Sequence, residues 1–175
     1  YAWHDGTTGD SYTVSSADDP GNLVTCTATA NDGDGGLASA SASATVGNTD
    51  PVVASVSVSP SSGQVGDTLT CLAAGTDADG GTPSLSYSWS GGSTGSTYTI
   101  LASDDPGDVI TCTATATDAD GGTGTGAASA TVDNTDPEVL AVSIAPSAPT
   151  NADTVTCSAT ATDADGGSPT FTYAW

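Results

Sequence analysis

The chain has no lysine, no arginine and no methionine in 175 residues, and its one histidine is His4. Nucleic-acid binding rests on basic side chains that neutralise phosphate, so nucleic acid is excluded as a partner, and anionic lipid finds no basic anchor either. No apolar run approaches the roughly 18 residues of a membrane span, so no membrane insertion is expected in this segment. Nucleophilic lysine, phosphate-binding lysine or arginine and zinc-type Cys-His clusters are all missing, as is the lysine that an isopeptide cross-link needs. The side chains that favour helices (Glu, Lys, Gln, Met, Arg) are scarce or absent.

What is present is acidic and small. Twenty aspartates and Glu138 give a net charge of -21, and the chain carries 22 glycines, nine prolines and many Ala, Val, Ser and Thr. That is the composition of β structure with many turns. Four cysteines suggest an oxidising compartment. The opening residues Tyr1-Ala2-Trp3 form no signal peptide, and the expectation is an interior piece of something longer.

The sequence repeats with a period of 86 residues: Cys26 to Cys112, Cys71 to Cys157, and Trp3 to Trp89 to Trp175. Asn48-Thr49-Asp50-Pro51 returns as Asn134-Thr135-Asp136-Pro137, and Asp77-Ala78-Asp79-Gly80-Gly81 as Asp163-Ala164-Asp165-Gly166-Gly167. With Asn-Thr-Asp-Pro as linker, residues 48–133 make one complete domain, 1–47 the back half of its predecessor and 134–175 the front half of its successor. Tyr1-Ala2-Trp3 also recurs as Tyr173-Ala174-Trp175. Two readings follow: a cut from a longer array, or front and back halves of neighbouring chains that complete each other.

Within 48–133, β runs are expected at Val52–Val58, Thr68–Ala74, Leu85–Trp89, Thr97–Leu101, Val109–Thr117 and Ala127–Val132, separated by Gly, Pro, Ser and Asp clusters. Short strands at such spacing imply a sandwich. The one catalytic pattern, Gly91-Gly92-Ser93-Thr94-Gly95, needs a strand-to-helix turn and a histidine base. This repeat has no histidine, and His4 falls at the position of Ser90, so the stretch reads as a loop, His4 as an exposed strand-end residue, and the chain as no enzyme.

Cys71, then Trp89, then Cys112, the last preceded by Asp104-Asp105-Pro106-Gly107-Asp108, resembles the immunoglobulin-like order of Cys on strand B, Trp on strand C and Cys on strand F. Ile110 and Val24 stand where such domains carry a corner tyrosine, and the short Cys spacing is closer to compact bacterial Ig-like or polycystic-kidney-disease-like repeats. The resemblance implies an all-β fold of tandem Ig-like β-sandwich domains with an intradomain B–F disulfide, Cys71 to Cys112; free buried cysteines are the other reading. Cys26 and Cys157 would then pair outside this segment or with each other across chains.

In that fold strands B and F run the same way. Asp77 and Asp118 each lie six residues after a cysteine, so both aspartate loops leave at one end, about 20 Å from the bridge at the usual strand rise. Asp108 lies four residues before its cysteine and falls, with Asp104 and Asp105, at the other end. Each junction between domains would therefore gather one domain's turn, the linker and the next domain's two loops. This is similar to cadherins, whose calcium sites combine the same three parts; Asp104 and Asp105 match the upstream loop, Asn134 and Asp136 the linker, and Asp163 and Asp165 the downstream Asp-x-Asp, although no Glu occupies the upstream loop. By the repeat, the other expected ligands are Asp18, Asp19, Asn48, Asp50, Asp77, Asp79, Asp118 and Asp120, with Asp108, Asp32 and Asp34.

With no basic side chain to pair these acids, a cation is the available neutraliser, and oxygen donors suit Ca²⁺ over magnesium or transition metals. An EF-hand does not fit, because from Asp77 the glycine Gly80 stands fourth and Ser88 twelfth. The plainer reading is that Asp and Gly make turns; four such runs in register favour calcium. The expected function is structural: an extracellular, cell-surface or secreted filament or stalk stiffened by calcium, self-associating or continuing as a longer repeat chain. The alternative is an adhesin or carbohydrate-binding module with a cell-surface or glycan ligand, for which the repeat offers Tyr87, Trp89 and Tyr98. Acidity as a high-salt adaptation would spread charge over the faces, whereas all ten acids of the complete repeat fall at its ends.

Overall fold

A computed structural model describes residues 1–175, and every regular element is a strand. In chain order these are β1 (Ala2–Trp3), β2 (Leu23–Asn31), β3 (Leu37–Thr45), β4 (Val52–Ser59), β5 (Ser62–Gly63), β6 (Thr68–Thr76), β7 (Ser84–Trp89), β8 (Thr97–Thr99), β9 (Val109–Thr117), β10 (Thr123–Val132), β11 (Glu138–Ala145) and β12 (Thr156–Thr162). They form four sheets: β1-β2-β3, β4-β6-β8, β5-β10-β9-β7 and β11-β12. The absence of any helix follows from Thr, Val, Ser and Gly, whose side chains restrict χ1 or leave the backbone too free for helix. No helix is long and apolar enough to cross a membrane.

Five of the six expected strands lie within two residues of their expected bounds, and Val109–Thr117 is found at the residues expected. The sixth begins at Thr123, not Ala127, and the glycines are the reason. A Cβ on Gly124 would strike the carbonyl oxygen of Pro51, and one on Gly126 would lie 2.9 Å from Val53 Cγ1 and Val56 Cγ2. These glycines permit close strand approach; they do not mark a turn. The two-residue β5, parallel to the end of β10, was not expected from sequence.

The contacts gather into two compact units, each drawing residues from both sides of an Asn-Thr-Asp-Pro segment. One comprises Tyr1–Val56, Ala73–Ser86 and Ala114–Gly126. It holds the sheet β1-β2-β3, in which Leu23 to Asn31 pair antiparallel with Thr45 to Leu37. Thr25 and Thr27 hydroxyls lie 2.8 Å from those of Ser43 and Ser41, a cross-strand ladder of hydroxyls. Pro51, Ala114 and Ala116 are buried in this unit.

The other unit comprises Ser57–Leu72, Tyr87–Thr113 and Ala127–Trp175. Its core is Leu69, Cys71, Trp89, Tyr98, Ile100, Ile110, Cys112 and Val132, none more than 4% exposed. Each aliphatic side chain so buried contributes about 1.5–3 kcal/mol. Cys71 on β6 and Cys112 on β9 form a disulfide with Cα atoms 6.4 Å apart, so the pairing implied by the Ig-like resemblance is present. It joins one strand from each of the two sheets β4-β6-β8 and β5-β10-β9-β7. Closing a loop of 41 residues should contribute about 4 kcal/mol in the chain-entropy treatment.

Tyrosine does pin the corner before β9, though from β8. Buried Tyr98 donates its hydroxyl to Asp104 Oδ2 at 2.8 Å, and Leu101 N donates to the same oxygen. Burial and that hydrogen bond push the Tyr98 phenol up to about 12. Gly107, with φ +94°, completes the turn and donates to Val132 O. Glycines 92 and 95 likewise take positive φ in a tight turn that follows β7, where Trp89 N donates to Ser93 O; the Gly-x-Ser-x-Gly stretch leads back to a strand.

Candidate metal centre

The four aspartate loops share one internal design. In each, the first aspartate folds back on its own loop: Asp77 Oδ1 accepts from Asp79 N, Asp118 Oδ1 from Asp120 N and Gly122 N, Asp163 Oδ1 from Asp165 N, and Asp32 Oδ1 from Asp34 N and Gly36 N. This is the local side-chain-to-backbone bonding that makes Asp a turn former. These bonds hold the Asp32 carboxyl below its ordinary value, chiefly through Asp34 N.

The second aspartate of the loops after β6 and β12 reaches the linker. Asp79 Oδ2 accepts from Thr49 N at 2.5 Å, and Asp165 Oδ2 from Thr135 N at 2.6 Å. In the first unit the linker also engages the loop between β9 and β10. Asn48 Nδ2 donates to Asp118 Oδ2 at 3.0 Å, and that bond is the main reason the Asp118 carboxyl lies below its ordinary value. Asp50 completes the group: a Cβ on Gly122 would lie 2.5 Å from Asn48 Nδ2 and Asp118 Oδ2 and 2.6 Å from Asp50 Oδ1. Glycine is required there because the linker's side chains fill the space.

Beside this group lies a polar cleft of about 390 Å³ lined by Asp19, Asp77, Asp79, Asp118 and Asp120, with Ser16 and Pro20. Gly80 packs toward the Ser16 carbonyl, where a Cβ would sit 3.6 Å from the oxygen. Five carboxylates thus share one depression in a chain without Lys or Arg.

In the second unit the equivalent aspartate is more enclosed. Asp165 is only 9% exposed; its Oδ2 is bonded to Thr135 N, and its Oδ1 has no hydrogen-bond partner, nor does the buried Thr135 Oγ1. A buried polar atom without a partner costs about 1–3 kcal/mol, more if charged, and such an atom calls for a water or an ion. Gly166 here packs toward the Ala102 carbonyl, as Gly80 does toward Ser16. Gln64 Nε2 donates to Asn134 O at 2.7 Å.

Several of the expected ligands already accept hydrogen bonds within the chain. Asp18 is 6% exposed and already accepts from Tyr12, Ser15 and His4, whose Nε2 lies 3.0 Å from it. The Ser15 amide is the main cause of its lowered carboxyl, and the bond to Asp18 pushes the Tyr12 phenol up to about 12. Asp104 plays the same part in the second unit, and Asp108 Oδ2 accepts from Asp105 N. Asp105, Asp136, Asp32 and Asp34 are exposed. No three Asp, Glu, His or Cys side chains come together as a ready-made metal cluster. Two carboxylates and an amide, Asp50, Asp118 and Asn48, do converge on Gly122.

These donors fit a hard, oxygen-seeking cation: carboxylates, an amide and nearby backbone carbonyls, with no thiolate or imidazole among them. The linker threonines were not singled out in the sequence, although Asn-Thr-Asp-Pro is identical in both copies. No protein-family model matches the chain, and no curated protein or solved structure matches it.

Proposed function

We propose that the chain is part of an extracellular structural protein, a rod or stalk of tandem Ig-like sandwiches of 86 residues whose junctions bind Ca²⁺. The observation that carries this reading is the buried Asp165 oxygen without a partner, in a chain with no basic side chain to supply one. The linker-to-loop bonds of Thr49 with Asp79 and of Thr135 with Asp165 support it, since they place the same groups together twice. The Asn48, Asp50 and Asp118 group and the acidic cleft supply further oxygens at the first junction. A disulfide is in keeping with an oxidising, extracellular setting.

A glycan-binding role gains no comparable support, because Trp89 and Tyr98 are each 4% exposed and only half-buried Tyr87 of the three aromatics reaches the surface. The test is equilibrium dialysis of the oxidised chain against millimolar calcium, with the Asp165→Asn and Asp118→Asn variants alongside. Bound calcium that falls in each variant supports the junction sites. A chain that retains no calcium returns the loops to the status of turns.

A further inference from the structure

Six bonds in the chain join aspartate to glycine: Asp5–Gly6, Asp32–Gly33, Asp34–Gly35, Asp79–Gly80, Asp120–Gly121 and Asp165–Gly166. Such a bond rearranges when the glycine nitrogen reaches the aspartate Cγ, and glycine, with no Cβ, hinders that approach least. The fold treats the six unequally. At Asp5 both partners are held: Gly6 N donates to Trp3 O at 2.9 Å, and Asp5 Oδ1 accepts from Thr7 N and Thr7 Oγ1. At Asp32, Gly33 N donates to Asn31 Oδ1, and the carboxylate accepts from Asp34 N and Gly36 N. At Asp165, Gly166 N donates to Asp163 O, and the buried carboxylate accepts from Thr135 N. Asp79 is held on one side, by Thr49 N.

The Asp120 carboxylate is exposed and accepts no hydrogen bond, and Gly121 N makes only the weakest of the contacts that lower the Asp118 carboxyl. The linker and both aspartate loops are in place around it, yet Asn48 bonds Asp118, Thr49 bonds Asp79, and neither reaches Asp120. Asp34–Gly35, one period earlier, is open in the same way.

We infer that Asp120–Gly121 is a site at which the folded chain converts aspartate to isoaspartate, and that the conversion releases the linker from this loop. Gly121 N forms a bond to Asp120 Cγ; a carboxyl oxygen leaves as water, taking the proton of that nitrogen and one from solvent. Water then adds to the backbone carbonyl of the cyclic succinimide and breaks its bond to Gly121 N. One water leaves and one enters, and nothing is oxidised or reduced. The main chain now runs through the former side chain and is longer by one methylene, while the carboxylate arm is shorter by one. The loop has no slack for this. Asp118 Oδ1 accepts from Asp120 N and Gly122 N, and a Cβ on Gly122 would lie 2.5 Å from Asn48 Nδ2 and Asp118 Oδ2. Lengthening the chain between Asp120 and Gly122 displaces Gly122 and parts Asn48 from Asp118.

The experiment incubates the oxidised 175-residue chain in warm neutral buffer with chelator, so that the outcome stands apart from calcium binding. The chain is then reduced, cut with chymotrypsin and read by electron-transfer fragmentation, which tells isoaspartate from aspartate at equal mass. Isoaspartate should accumulate at Asp120 roughly ten- to a hundredfold faster than at Asp5, Asp32 or Asp165, the factor expected from one hydrogen bond to a charged group. In urea, with the disulfide reduced, all six bonds should convert at similar rates. Conversion at Asp120 no faster than at Asp165 in the folded chain would overturn the assignment. Asp120→Glu, whose ring closes over one more atom and so more slowly, should lose the product at that position and keep it at Asp34. The Asn48 side-chain amide resonance should shift in step with conversion at Asp120 and hold still in Asp120→Glu. A resonance that does not move while Asp120 converts would overturn the release of the linker.

Discussion

Strands β2 and β9 are nearly the same peptide: Leu-Val-Thr-Cys-Thr-Ala-Thr-Ala-Asn against Val-Ile-Thr-Cys-Thr-Ala-Thr-Ala-Thr. In β9 Cys112, Ala114 and Ala116 are completely buried; in β2 Cys26 and Ala28 are half-buried and Ala30 is exposed. Both strands pair with the strand that follows the next aspartate loop, β3 or β10. What differs is the disulfide and the strand behind it. Burial in these small, Ala-rich strands is conferred by the facing sheet. The strand's own sequence supplies only the alternation that makes one side ready to be covered.

The comparison breaks most readily at the disulfide. Converting both Cys71 and Cys112 to Ala should lower unfolding free energy by about 4 kcal/mol, measured by urea unfolding. Cys26→Ser should leave it unchanged. A loss of only about 1 kcal/mol in the double variant would mean that β9 is held in place without the bridge.

Next in size is the core. Leu69→Ala removes a fully buried side chain and should cost about 2–5 kcal/mol, whereas Leu140→Ala on exposed β11 should stay within about 0.5 kcal/mol. A loss at Leu140 as large as that at Leu69 would overturn the difference in burial between the two strands. Smaller still is the effect of Gly126→Ala, whose methyl would meet Val53 and Val56 and should cost about 1–3 kcal/mol by overpacking. The reverse change at its open counterpart, Ala40→Gly, should cost only backbone freedom, about 0.5–1 kcal/mol.

The smallest effects are in pH. The folded Asp118 carboxyl lies below its unfolded value, so its contribution is present at neutral pH and is lost as pH falls through the depressed folded value. Removing the main cause with Asn48→Ala should flatten the acid limb of a stability profile. The Tyr98 phenol is raised to about 12, so its contribution is full below the ordinary phenol value of about 10 and is lost between there and about 12. Tyr98→Phe should remove that alkaline loss and leave the acid limb as it was.

Much of the strand pattern was legible because Val, Thr and Cys alternate cleanly from Val109 to Thr117, and a period of two leaves little freedom in register. The start of β10 was not legible, because glycine signals both turns and close approach, and only Pro51 and Val53 show which applies at Gly124 and Gly126. Among the acids, sequence separated the loops from the faces but not one role from another. Asp18 and Asp104, expected as ligands by position, accept the hydroxyls of Tyr12 and Tyr98, six residues earlier in both cases, a partnership the sequence did not announce. Thr49 and Thr135 act through backbone amides, which leave no mark in a reading of side-chain chemistry.

The hydroxyl ladders have a consequence for how this protein meets its solvent. Thr25 with Ser43, Thr27 with Ser41 and Thr111 with Ser129 clothe the strands in neutral groups that bond to one another. Such surfaces are indifferent to ionic strength. The carboxylates are not, and all twenty aspartates lie outside the strands, with Glu138 at the start of β11 the one acid within them; screening over about 10 Å at 0.1 M salt acts on these groups. Dissolved salt therefore tunes the loops far more than the sheets, so one molecule carries a salt-sensitive part and a nearly salt-blind part divided by little more than the choice between aspartate and serine.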